Sequence, residues 1–106
     1  MREVSKNFSG LSIGQVVRAN AGREKGLFMV VCGFEGDEYV LLTDGQTRKF
    51  ISPKKKKIKH VSKTNTILAD VAEMIKTDAI TDKRIRNALS EFNNPNKNKG
   101  VKDEQK

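Results

Sequence analysis

Two short runs, "LFMVVCGFE" at 27–35 and "EYVLLT" at 38–43, are apolar on both of their alternating faces. In the first, Phe28, Val30 and Cys32 alternate with Leu27, Met29 and Val31; in the second, Tyr39 and Leu41 alternate with Val40 and Leu42. A strand with two apolar faces cannot leave either in water, so one face must fill a core and something else must cover the other. The surrounding text supplies the rest of a meander: "LSIGQVVRAN" before them and "TRKFIS" after them, separated by "AGREKG", "GD" and "DGQ". Gly- and Asp-containing turns between β-branched and aromatic runs predict four or five tightly connected strands within about fifty residues. Closing them into a small barrel removes aggregation-prone edges.

The cover for the second face is encoded downstream, where the period changes. Ile67, Leu68, Val71, Ala72 and Ile75 recur at helical spacing behind Thr66, a candidate N-cap. Ile85, Ala88, Leu89 and Phe92 do so behind Thr81, a second candidate cap, and "NNP" ends that helix. Two short amphipathic helices are expected to pack on the outer face of the strands. The reading divides the chain into a lead-in (1–10), a β domain (11–63), a helical extension (64–92) and a disordered basic tail (93–106).

Charge is placed unevenly. The 106 residues carry a net charge of +8. Residues 1–63 hold 13 Lys/Arg against 6 Asp/Glu, whereas 64–106 hold 8 against 7. Between Gly45 and Lys63 there are eight basic residues and no acid, which points to a polyanion-facing surface. Two segments concentrate it, and they are expected to form one continuous cationic surface. The turn "NAGREKG" holds Arg23 and Lys25 between Gly22 and Gly26, with Arg18 just before it. It is either a solvated hairpin loop or a rigid loop that offers cations to phosphates. "RKFISPKKKKIKH" holds Arg48, Lys49, Lys54, Lys55, Lys56, Lys57, Lys59 and His60. Composition alone leaves it as a phosphate contact, a nuclear-import signal or a solvated run. Arg48 and Lys49 are expected on the last strand, anchored by Phe50, with Pro53 as its exit and the lysines just beyond the barrel edge.

The stretch "GQVVRANAGREKGLFMVVCGFEGDEYVLLTDG" resembles the KOW motif of RNA-binding proteins, found in ribosomal proteins and NusG-type transcription factors. Its continuation, "DGQTRKFISPKKKKIKHV", is similar to the KOW branch that contains the fourteenth archaeal and eukaryotic large-subunit ribosomal protein. The similarity covers Leu11 to Val61. It implies a five-stranded, Src-homology-3-like barrel with structured RNA, ribosomal RNA foremost, as partner. Gly22, Arg23, Lys25 and Gly26 carry over as the RNA-contacting loop, and Arg48, Lys49 and Lys54 to Lys57 as the basic segment beside it. The helices carry nothing over, and NusG-type relatives keep a protein-interaction module of the transcription and translation machinery as the alternative, with an apolar groove on the two helices as the surface for a protein partner.

Other classes find little support. No carboxylate pair, nucleophile–base pair or phosphate-binding Gly-rich motif is present, so no enzyme activity and no cofactor are expected. His60 and Cys32 make no metal-ligand set. Cys32 is expected to be a small buried thiol in a reducing compartment. With no apolar run near 18 residues and no signal-peptide pattern, a cytoplasmic monomer is expected. With no Trp, one Tyr and five Phe, most of them assigned to the core, base stacking is not the expected mode.

Overall fold

The computed structural model describes residues 10–93; the expected lead-in up to residue 9 and the tail from 94 lie outside the described residues. Five antiparallel strands form one sheet: β1 (Gln15–Ala19), β2 (Phe28–Glu35), β3 (Tyr39–Thr43), β4 (Lys54–Lys57) and β5 (Val61–Ile67), in the spatial order β4-β3-β2-β1-β5. Two helices follow, α1 (Ala69–Lys76) and α2 (Asp82–Asn93). Neither is long and apolar enough to cross a membrane.

The sheet is curled. Its two edges, β4 and β5, are joined only by a single 3₁₀ turn, Ile58–His60. Four Cα steps from Lys57 to Val61 span at most about 14 Å, whereas the edges of a flat five-stranded sheet stand roughly 19 Å apart. A register shift between Val31 and Gly33 bends β2 midway, as an extra residue in one strand does. Curling separates two apolar faces. Inside lie Leu11, Val17, Met29, Val31, Val40 and Leu42; outside, Val16 and Val30 meet Val71 of α1 and Ile85 and Leu89 of α2. The helices therefore cover the outer face, as the doubly apolar strands require.

Cys32 sits at the bend, half-buried, with its thiol directed at the Leu41 carbonyl oxygen 3.4 Å away. Burial pushes the thiol up to about 12, against a smaller opposing effect of its own backbone N–H. The thiolate is the reactive form, so Cys32 should resist iodoacetamide at pH 8 in the folded protein and label rapidly in urea. Equal labelling rates in the two states would contradict this placement.

Several local expectations are corrected. "TRKFIS" is no strand: residues 45–52 are turn and bend, and the lysine run itself forms β4, pairing Lys54–Lys57 with Leu42–Tyr39. The cause is Asp44, at the head of the predicted "DGQ" turn. Its carboxylate accepts the Gln46 and Arg48 backbone N–H groups at 3.0 and 2.8 Å and the Thr47 hydroxyl at 2.8 Å. That turn consumes the residues expected to extend, and Phe50 is diverted into the cluster beneath the helices. Thr66 lies within β5 rather than capping a helix, and α1 starts only after Leu68. Thr81 does cap α2, its hydroxyl accepting the Arg84 N–H at 3.1 Å. Tyr39, assigned to the core, is half-exposed with Lys55 Nζ 4.8 Å above its ring.

Helix α2 is tied down along its length. Asp82 Oδ1 accepts the Phe50 N–H at 2.7 Å, Arg86 donates to the Gly45 carbonyl at 3.3 Å, and the Asn93 side chain pairs with both backbone groups of Phe28. The Phe28 and Phe92 rings add a tilted contact, with centroids 5.5 Å apart.

Candidate functional site

The loop joining β1 to β2 is built from overlapping turns. Lys25 N–H reaches the Gly22 carbonyl at 3.2 Å, Leu27 N–H the Glu24 carbonyl at 2.8 Å, and Gly26 N–H closes back on Ala19 at 2.8 Å. Gly22 and Gly26 both adopt positive φ, +81° and +88°, as the sequence spacing predicts. The outcome is a rigid tip that exposes Arg23 and Lys25 and turns Glu24 inward, leaving it only 9% exposed.

Glu24 organises the cations around it. Its Oε2 lies 3.3 Å from Arg48 Nη2, and its Oε1 lies 3.6 Å from Lys56 Nζ. Lys56 is itself only 7% exposed. Oε1 is buried without a hydrogen-bond partner, so its partner there is a charge rather than a directed donor. Burial pushes the Glu24 carboxyl up, but its own backbone N–H, the charges of Lys54 and Lys56 and the Arg48 hydrogen bond outweigh that and hold it below its ordinary value. The carboxylate is therefore ionised at neutral pH.

The basic segment and the loop thus meet on one side of the molecule: a Cβ at Gly22 would stand 3.1 Å from Lys56 Nζ. They do not form the uninterrupted cationic surface expected. Strand alternation sends Lys54 and Lys56 to the face shared with Leu42 and Val40, and Lys55 and Lys57 to the other. Lys56 is buried against Glu24, so the lysine run cannot act as a block. Lys55 instead pairs with Glu35 at 3.1 Å, an exposed contact that contributes little and opens readily. Arg18 is exposed on β1, Lys49 on the turn, and Lys59 and His60 on the 3₁₀ turn, whose His60 carbonyl accepts the Asn20 N–H at 2.8 Å.

Two residues of this candidate site, Glu24 and Arg86, have no distinctive signal in the sequence. Glu24 stands in plain sight inside "GREKG", but an acid between two cations reads as solvated until its burial is seen. Arg86 follows Ile85 on α2, and helical spacing cannot tell which loop it faces. An open cleft of about 720 Å³ runs between the 22–26 loop, the 44–48 turn and α2, and brings Arg23, Lys25, Arg48 and Arg86 around it.

The fold and the site together define a small, mainly β protein with a basic, helix-buttressed cleft beside a rigid loop. The sequence matches no protein-family model and no curated protein.

Proposed function

We propose that this protein binds structured RNA, ribosomal RNA foremost, through its phosphate backbone, using a KOW-type, Src-homology-3-like barrel. The observation that carries this reading is the meeting of cations from separate stretches at one rigid loop. Arg23 and Lys25 project from its tip, with Arg48 and Lys54 beside it around the buried Glu24. A pre-set loop binds phosphates without first being ordered, and cations around such a loop track a backbone rather than read bases. The order β4-β3-β2-β1-β5 and the short 3₁₀ link between its edges suit a sheet rolled into a barrel. The sequence resemblance points to the same loop and the same partner, and a cytoplasmic ribonucleoprotein setting follows from it.

The alternative, a protein-docking groove on the helices, is less well supported. The apolar stripes of α1 and α2 are already spent on Val16 and Val30 of the sheet.

Titrating a structured ribosomal RNA fragment at increasing salt tests the proposal. About five phosphate contacts predict a slope of log affinity against log salt of roughly −3.5 to −4.5. Arg23→Gln together with Lys25→Gln should flatten the slope by about 2 while the protein stays folded. Affinity independent of salt, or unchanged by that pair of substitutions, would remove RNA-backbone binding by this loop. Equal competition by duplex DNA of the same length would reassign the ligand.

A further inference from the structure

The cleft between the loop and α2 has a chemistry of its own. Its volume, about 720 Å³, falls within the range of roughly 300–1,000 Å³ typical of sites for small-molecule-sized groups. Four cations line it, Arg23, Lys25, Arg48 and Arg86, against two acids, Glu24 and Asp44. Both acids are already engaged. Asp44 spends its oxygens on the 46–48 turn, and Glu24 faces Arg48 and Lys56. Among the described residues Arg23, Lys25 and Arg86 have no acidic partner. Among the described residues the Arg86 side chain makes one hydrogen bond, through Nη1 to the Gly45 carbonyl, which orients the guanidinium and leaves most of its five donors for a ligand.

We infer that this cleft is a phosphate-binding site in which α2 supplies a third cation, Arg86, opposite Arg23 and Lys25 of the loop. The helix lies outside the stretch on which the KOW resemblance rests, so this contact belongs to what the C-terminal half adds. Arginine suits it because its planar fork binds two phosphate oxygens at once. The hydrogen bonds from Phe50 to Asp82 and between Asn93 and Phe28 hold α2 against the sheet, so the distance between Arg86 and the loop is set before a ligand arrives. A helix and loop already fixed relative to each other grip a phosphate group without first having to be ordered. The supplier of that group is an RNA phosphodiester, an assignment that rests on the RNA reading above; a free phosphorylated metabolite offers the same chemistry.

Two measurements on the full chain separate these outcomes. In the first, adenosine monophosphate is titrated into the labelled protein and followed by NMR. Shift changes should concentrate at Arg23, Lys25, Gly26, Arg86 and Ser90; no change there, or changes spread evenly over the surface, overturns the cleft assignment. In the second, the salt-dependent RNA titration is repeated with Arg86→Gln, Arg86→Lys and the distant Lys76→Gln as control. Arg86→Gln should weaken RNA binding about ten-fold and reduce the salt slope by about 1. Arg86→Lys should keep the slope and lose part of the affinity, an outcome that loss of a merely structural bond would not produce. If Arg86→Gln behaves as wild type while the loop variants weaken binding, the inference fails and the RNA reading stands. If adenosine monophosphate shifts the cleft but RNA does not bind, the RNA reading fails and the cleft serves a small phosphorylated ligand. If neither probe binds, both are wrong.

Discussion

Glu24→Gln should lower the free energy of unfolding by about 3 kcal/mol, because it strands the buried Lys56 ammonium without a counter-charge. Lys56 and Glu24 are only 7% and 9% exposed and lie 3.6 Å apart. Removing one member of such a pair leaves the other desolvated and uncompensated, which is worse than having neither. For a domain of this size the loss corresponds to a fall in Tm on the order of 15 °C, readable by thermal or urea denaturation. Adding Lys56→Met should recover much of the loss, since it removes the ammonium that Glu24→Gln leaves buried without a counter-charge. The effect also has a pH signature. The carboxyl of Glu24 is held below its ordinary value of 4.5 in the folded state. Its contribution is therefore complete above that value and disappears as pH falls through the lowered folded value. Wild type and Glu24→Gln should differ at pH 7 and converge in acid. A gap that persists at low pH would show that something other than the carboxylate charge holds the loop.

Gly45→Ala should be comparably damaging, and for steric reasons alone. Gly45 has φ +77°, and a Cβ there would overlap the Asp82 carbonyl oxygen and lie 3.0 Å from the Arg86 nitrogen. The left-handed conformation costs an alanine about 1–2 kcal/mol. Pushing the first turn of α2 off the 44–48 turn adds roughly 1–3 kcal/mol of overpacking strain, and it threatens the bond from Phe50 to Asp82 as well. Gly36 provides the control: it has φ +66° but no atom within 4 Å of its added Cβ. Gly36→Ala should therefore show the conformational cost alone, about 1–2 kcal/mol. Equal destabilisation at the two positions in urea titrations would mean that the approach of α2 to the turn is not tight. A larger loss at Gly45 measures how firmly the helix is seated on the β-sheet.

How much of this was legible in the chain follows from the range over which each signal acts. Turn chemistry is local, so Asp44, Gly22 and Gly26 announce their roles within a few residues. The doubly apolar runs at 27–35 and 38–43 demand a cover, and the helical periodicity after residue 67 identifies it, because burial on two faces is written directly into alternation. Thr81 as a cap belongs to the same short range.

The lysine run shows the limit. Its composition opposes a strand, yet as β4 it satisfies its backbone groups on Tyr39–Leu42 while alternation gives each ammonium somewhere to go. One goes to the buried Glu24, one to Glu35 and the Tyr39 ring. The sequence determined that the cations were there, where the turns fall, and that two layers must form. Only the tertiary structure decided which cations are spent on the fold and which face outward, because ion pairing joins residues such as Glu24 and Lys56 that are neighbours in space alone. The same holds for Arg86, whose place beside the loop depends on how α2 crosses the sheet.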